Sequence, residues 1–308
     1  VTGGAGFIGS NIVDKLIEHG YNTIILDNLS TGKKENINPL AKFYHLDITS
    51  SEIEKIFMEE NITHVIHHAA QIDVQSSMKN PLNDMQSNIK GTINLLENCR
   101  KYNVKKIIYA SSAAVYGEPN YLPIDEEHSI NPMSPYGISK HTPEHYIKIY
   151  KDLYEIDYTI LRYANAYGPK QDAKGEGGVV SIFVDRMIAG ERPIIYGDGN
   201  QTRDFIYIED IVEANIKALS KGDGEIVNIS CNTQDSVNDL YKIVNEIIKN
   251  DIKPIYKKER KGDIRYSYLD NTKAKEILNW LPAFNFKQGI TYTINYYLGL
   301  IEAAVSKE

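Results

Sequence analysis

The chain has 308 residues, 42% apolar and 24% charged, with a formal net charge of −7. That length supports one large α/β unit or two closely joined lobes, and the composition is that of an ordinary globular protein. The acidic balance argues against nucleic acid as the main partner, because phosphate binding needs a basic face, and no run of 18 apolar residues offers a membrane span.

No secretory signal opens the chain, and its two cysteines, Cys99 and Cys231, lie far apart. Free thiols in a reducing, cytoplasmic setting are therefore expected. Only Val1 and Thr2 precede the first glycines. Two residues are too few for a strand, so a short apolar start is expected to be missing. "TGGAGFIG" then sets Gly3, Gly6, Phe7, Ile8 and Gly9 where a strand should give way to a helix. "TIILD" (23–27) reads as the next strand, an apolar run closed by Asp27 and Asn28. This context points to a dinucleotide. The glycines let the backbone approach a pyrophosphate, and the helix N-terminus attracts it. Asp27 would bond the adenosine ribose and repel a 2′-phosphate, which favours NAD over NADP, with nearby Lys33 working weakly against that preference.

"KFYHLD" (42–47) reads as a further strand, ending at Asp47 and Ile48 where an adenine can be met. A helix follows from about Ser51, where Ser51 and Glu54 have capping-box spacing. "THVIHHAA" (63–70) is another strand, and Ala69, Ala70 and Gln71 at its end let a ligand pass close. Its histidines, His64, His67 and His68, have no matching Cys or carboxylate spacing, so no metal site is expected. A long helix is expected over 81–102, carrying Asn88. "KKIIYAS" (105–111) and "DYTILR" (157–162) are strands with a helix between them. Strands separated by helices imply parallel pairing and a Rossmann-type doubly wound α/β fold. Residues 1–165 form the expected NAD-binding domain. Residues 166–308 form a smaller α/β substrate lobe with helices near 179–189, 209–220, 235–249 and 286–300, and with segments near 192–220 returning to the large sheet.

"SPYGISK" places Tyr136 and Lys140 one turn apart at a helix start. A free phenol has a pKa near 10, too high for a base at neutral pH. A neighbouring ammonium favours the phenolate, so Tyr136 can take a proton with Lys140 beside it. Ser112 ends a strand and can bond the same substrate oxygen. Pro143 removes one helical donor three residues later, and a kink is expected there.

"SSAAVYG", "YGISK", "LRYANAYGPKQ" and "GDGNQTRDFIYIEDI", together with the glycine turn, resemble the extended short-chain dehydrogenases/reductases, and within them the UDP-hexose 4-epimerases. The resemblance covers essentially the whole chain. It implies transient oxidation: Tyr136 removes the 4-hydroxyl proton while hydride passes from C4 to NAD, the 4-keto sugar turns over, and hydride returns to the other face. Lys140 would also bond the nicotinamide ribose, with Tyr163 beside the carboxamide. For the substrate it implies Asn165 at the UDP phosphates, Tyr196 over uracil, Arg203 and Arg260 at the pyrophosphate and Asp263 at the ribose, with Val179 completing the set. Ser267 falls at the gate beside C2 of the sugar, where a small residue admits an N-acetyl group. UDP-N-acetylglucosamine and UDP-N-acetylgalactosamine are therefore expected substrates, with UDP-glucose and UDP-galactose alongside. A homodimer through a four-helix bundle of helices 81–102 and 135–154 is also implied.

Ala113 and Ala114 stand where related dehydratases carry an acid pair and decarboxylases a glutamate, which favours epimerisation. The competing readings are a UDP-sugar decarboxylase or dehydratase, a strictly UDP-glucose 4-epimerase, and a non-catalytic NAD-binding regulator. The last would need a broken Ser-Tyr-Lys set, and this set is intact.

Overall fold

A computed structural model of the chain describes residues 1–173, 178–249, 251–259 and 264–305. In chain order the first half holds α1 (Phe7–Glu18), β1 (Ile24–Asp27), β2 (Lys42–His45), α2 (Ile53–Glu59), β3 (His64–His67), α3 (Val74–Lys79), α4 (Pro81–Met85), α5 (Gly91–Lys101), β4 (Lys106–Ser112), α6 (Pro135–Tyr154) and β5 (Asp157–Tyr163). The second half holds β6 (Asn165–Tyr167), α7 (Val179–Ile188), β7 (Ile194–Tyr196), β8 (Thr202–Arg203), β9 (Phe205–Tyr207), α8 (Ile208–Ala218), β10 (Glu225–Ile229), β11 (Asp235–Ser236), α9 (Val237–Ile248), β12 (Ile255–Lys257), α10 (Thr272–Leu278) and α11 (Phe286–Val305).

Thr2 marks the place where the main sheet divides. It bridges in parallel to Leu26 on one side and His67 on the other. The sheet therefore runs β2-β1-Thr2-β3-β4-β5-β10, with every pairing parallel. Connections leave Thr2 in opposite directions, and in such sheets ligands bind at that switch point, beyond the carboxyl ends of the strands.

β4 and β5 are buried along nearly their whole length because both faces are covered. Successive side chains point to opposite faces. Ile107 and Ile160 pack with α2, α5 and α6 through Ile53, Leu95, Leu96 and Ile147. Ile108 and Leu161 pack instead with Ile12 of α1, Ile211 of α8, Leu240 of α9, Trp280 and Ile294 of α11. The second core thus joins both halves of the chain. The strand that returns to the sheet is β10, just past the 192–220 stretch expected from sequence. Within that stretch, α8 packs on α1.

Two local expectations are replaced. Ser51 and Glu54 form no capping box: α2 starts at Ile53 behind Glu52, with no side-chain cap. The helix expected over 81–102 is α4, a π turn at Gln86–Lys90, and α5, with α3 an additional helix before it. The π turn sets Asn88 inward, where its Oδ1 accepts from Gln71 N–H (2.7 Å) and its Nδ2 donates to Gln71 O (2.9 Å) and Ser139 Oγ (2.8 Å). Those bonds favour a wider turn that apolar periodicity does not signal. α6 begins as expected, with Pro135 in its first turn and Ser134 Oγ accepting Gly137 N–H at 3.2 Å. It continues through Pro143 for 20 residues. Among the described residues no helix is long and apolar enough to cross a membrane, and Cys99 and Cys231 are both free thiols.

α6 is tied to the sheet by a buried ion pair. Arg162 donates through Nη2 (2.7 Å) and Nε (3.0 Å) to Glu144, which also accepts from Ser111 Oγ at 2.6 Å. Burial alone would raise the Glu144 carboxyl, but bonds from His141, Arg162 and Ser111 hold it down to about 2. Glu144→Ala leaves a guanidinium buried and unpaired. It is expected to cost about 3–5 kcal/mol, read as a lower denaturant midpoint, and a joint Glu144→Leu/Arg162→Met change should recover most of that loss.

Candidate active site

A cavity of about 470 Å³ opens at the switch point. Gly3, Gly6, Phe7, Ile8, Gly9, Asp27, Asn28, Asp47, Ile48, Ala69, Ala70 and Gln71 all line it. Gly3 has φ +68°, and a Cβ there would lie 2.7 Å from Ala69 N. A Cβ on Gly9 would lie 2.1 Å from Gly3 O. Only glycine lets the turn fold this tightly. Gly6 precedes α1 without any side-chain cap, so the positive end of the helix faces the cavity.

Asp27 is held by two backbone donors, Ala5 N–H at 2.9 Å and Leu29 N–H at 2.8 Å. A carboxylate has about four acceptor positions, so two remain for a ligand diol. Asn28 donates to Asp47 at 2.6 Å, which joins the ends of two adjacent strands. Lys33 pairs with Asp172 at 3.1 Å. That partly exposed pairing offsets the cation that works against NAD. The tight cradle, the uncapped helix and the fixed carboxylate together fit a dinucleotide.

Asn88 lies behind the wall and not on it. His67 explains how it is held. Ala69 N–H donates to Thr2 Oγ1 (3.1 Å), which meets His67 Nδ1 at 2.7 Å. His67 Nε2 meets Thr92 Oγ1 at 2.9 Å, and Thr92 donates to Asn88 O at 2.6 Å. One consistent direction runs through this chain, with the His67 proton on Nε2. It locks strand ends on both sides of the switch point to the π turn.

The groups expected to react lie near the carboxyl end of β4. Ser112 ends the strand, and its Oγ accepts Ala114 N–H at 3.2 Å. Ala113–Val115 then form a 3₁₀ turn on which α6 begins: a Cβ on Gly137 would lie 2.6 Å from Ala114 O. Tyr136, beside Gly137, is half-buried, and its N–H donates to Ser77 Oγ at 3.1 Å. Lys140, one turn on, is 4% exposed. Its Nζ lies 4.7 Å from the centre of the Tyr109 ring, whose hydroxyl donates to Lys140 O at 3.1 Å. Burial pulls the Lys140 ammonium down to about 8, opposed by the carboxylates of Glu144 and Asp84, so it stays mostly charged at neutral pH. Tyr163 lies directly across from Ser112 in the β4–β5 register and stacks on His68. Tyr109 is not singled out by the sequence, and His68, just past β3, is weighed there only among the histidines tested for a metal site.

Of the residues expected on the substrate side, Asn165 bonds the backbone of Asp204, next to Arg203, and Ser267 lies two residues from Leu269, which Asp204 also holds. Asn165 N–H donates to Asp204 O at 2.9 Å, and Arg203 donates to Ile264 O at 2.7 Å. Asp204 itself accepts from Cys231 N–H (2.8 Å), Asn232 N–H (3.1 Å) and Leu269 N–H (3.3 Å). Ser267 is half-buried in a segment stapled at Tyr266 to Thr202 and at Leu269 to Ile124. Leu269 packs on Val115 and Tyr116, just beyond Ser112. Tyr196 ends β7, its carbonyl bonded by Gln201 at 2.9 Å, and Val179 opens α7. Arg260 and Asp263 lie outside the described residues.

This fold and this site define a dinucleotide-dependent short-chain dehydrogenase/reductase of the extended type. Residues 1–230 match the NAD dependent epimerase/dehydratase family. A protein of Methanocaldococcus jannaschii named putative UDP-glucose 4-epimerase is 54% identical over 96% of this chain and 97% of its own. UDP-glucose 4-epimerase of Thermotoga maritima, solved with UDP-glucose, superposes with a TM-score of 0.96 at 47% identity, covering 97% of this chain and 98% of that one. UDP-N-acetylglucosamine 4-epimerase of Methanobrevibacter ruminantium, solved with UDP-N-acetylmuramic acid, gives 0.92 at 36% identity, with 97% of each chain covered. The chain belongs to the NAD-dependent epimerase/dehydratase family, and it is an isomerase, a UDP-sugar 4-epimerase using NAD.

Tyr136→Phe is expected to lower kcat by about 10²–10⁴-fold while NAD remains bound, checked by turnover and by cofactor content after gel filtration. Burial also drives the pKa of His67 well below its ordinary value and that of His68 down to about 3. At these two side chains the unfolded chain therefore binds more protons than the folded one below about pH 6.5, while burial raises Asp204 to about 7 and Asp210 to about 6, which works the other way. The His68 contribution is isolated by comparison: the Tm of the parent should fall relative to that of a His68→Phe variant as pH drops from about 6.5 toward 3.

Proposed function

We propose that the enzyme inverts C4 of both plain and N-acetylated UDP-hexoses, interconverting UDP-glucose with UDP-galactose and UDP-N-acetylglucosamine with UDP-N-acetylgalactosamine. The observation that carries the reading is the packing of the Ser112-Ala113-Ala114 turn against Tyr136 and Gly137. It sets Ser112 and the helix start that carries Tyr136 at one strand end, with Ala113 and Ala114 and no carboxylate in the turn between them. Tyr136 takes the proton of the 4-hydroxyl, helped by the Lys140 charge, and Ser112 bonds the same oxygen. Bound NAD supplies the acceptor and then the donor of the C4 hydride. Asn165, Tyr196 and Arg203 hold the nucleotide, and Lys140, Tyr163 and the glycine turn hold the cofactor. Without an acid at Ala113 or Ala114, nothing of this chain there assists loss of water or carbon dioxide.

The Methanocaldococcus and Thermotoga relatives, both named UDP-glucose 4-epimerases, support the plain sugars. The Methanobrevibacter enzyme and the small side chain of Ser267 support the acetylated ones. We further infer a homodimer. Leu82 of α4 (69% exposed) and Ile138, Ile149 and Leu153 of α6 (63% for Leu153) give two neighbouring helices an open apolar face, which two copies can cover as a four-helix bundle.

Incubation with each UDP-hexose should give C4 epimers of unchanged mass, and a product lighter by water or carbon dioxide would contradict the reading. Ser267→Tyr should cut turnover of the acetylated pair at least about tenfold and spare UDP-glucose; equal loss on both would contradict the gate. Light scattering should report a dimer, and Ile149→Glu a monomer.

A further inference from the structure

The strip of residues 264–270 carries Ser267, and its two ends are held in different ways. At the far end Leu269 is buried, bridges to Ile124, donates its N–H to Asp204 at 3.3 Å and packs on Val115 and Tyr116. Asp270 N–H adds a bond to Ile124 O at 2.8 Å. At the near end Thr202 N–H donates to Arg265 O (3.0 Å) and Arg203 donates to Ile264 O (2.7 Å). Ile264 and Ser267 are half-buried and Tyr266 is exposed, so packing holds this end far less than the other.

A side-chain pair fastens the near end. Arg265 donates to both oxygens of Asp198, through Nη1 at 2.8 Å and Nη2 at 2.7 Å. Two parallel bonds fix an orientation as well as a distance. The guanidinium holds the Asp198 carboxyl well below the usual carboxylate range, so both partners are charged at neutral pH. Asp198 is itself presented by a fixed turn. Gly197 and Gly199 have φ of +73° and +77°, and a Cβ on Gly199 would lie 2.3 Å from Asn238 Oδ1. Gly197 N–H donates to Lys257 O at 2.8 Å, Asn238 Nδ2 to Asp198 O at 3.0 Å, and Asn200 N–H to Asp198 Oδ1 at 2.9 Å. This turn directly follows Tyr196, and Ser267 comes two residues after Arg265. The pair therefore joins the segment expected at the nucleotide base to the segment expected at the sugar.

The two side chains are 45% and 50% exposed, and an ion pair so open to water adds little to global stability. Its effect is local, on how the strip sits against the turn. We propose that Asp198 and Arg265 are positioning residues for the UDP-sugar, their paired charges holding the Ser267 strip to the turn after Tyr196 so that the substrate meets a preformed pocket. A pocket ordered in advance spares the ligand the entropy of ordering it. The proposal rests on Tyr196, Arg203 and Ser267 facing the UDP-sugar.

Steady-state kinetics of the NAD-loaded enzyme with UDP-glucose, alongside Tm, test the pair. Asp198→Asn keeps an acceptor for Asn200 N–H, and Arg265→Ala removes the other partner. Each should raise KM about threefold to fivefold, with kcat within about twofold of the parent and Tm unchanged. A merely structural lesion would instead lower Tm and kcat together. The double variant should raise KM no further than the larger single, because both changes remove the same contact. KM within about 1.5-fold of the parent in both single variants, or effects that multiply in the double, would overturn the proposal and leave the substrate reading standing. A rise confined to Arg265→Ala would also overturn it, since the arginine would then act without Asp198. A parent enzyme that turns over no UDP-hexose would overturn both.

Discussion

A cation kept out of water organises this site. Lys140 is buried on the first turns of α6, over the ring of Tyr109 and one turn from Tyr136. A charge in such a place is costly, and its pKa falls accordingly. The surroundings limit the cost: Glu144 and Asp84 pull the other way, and the aromatic face beneath it adds attraction. What remains is an ammonium with little solvent to screen it. Its influence on a nearby phenol is larger than the same spacing would give on an exposed helix.

That arrangement depends on α6 being placed firmly. The helix is pinned at its start by Ser134 and by the contact of Gly137 with Ala114. Its middle is pinned by Glu144, which Arg162 and Ser111 hold from β5 and β4. Ser111 is the residue before Ser112, so one buried network sets both the helix and the strand end that meet at the substrate. On the other side, Asn88 ties Gln71 of the cofactor wall to Ser139 of the same helix. Cofactor wall and catalytic helix are therefore fixed relative to each other by side chains as well as by packing.

Much of this was legible in the sequence. β4 and β5 read as strands because residues 107–110 and 158–161, buried on both faces, are mostly apolar. Gly3, Gly6 and Gly9 carried their meaning because a tight turn before a helix forces glycine. Tyr136 and Lys140 declared themselves by helical spacing behind a Ser-Pro start. Three kinds of feature stayed hidden. The π turn at Gln86–Lys90 follows from where Asn88 finds bonds, and apolar periodicity is silent on that. The Lys33–Asp172 pair and the return of β10 join residues far apart in the chain. The stacking of His68 on Tyr163 joins two strand ends that the sequence presents separately.

The central claim is that Lys140 makes the Tyr136 phenol easier to ionise than a free one. Ultraviolet titration of the NAD-bound enzyme, parent minus Tyr136→Phe, isolates that one tyrosine among 22. The account predicts a phenolate appearing well below pH 10, moving upward when Lys140 is replaced by methionine. A difference titration centred at 10 or above in the parent, or one unmoved by Lys140→Met, would contradict it.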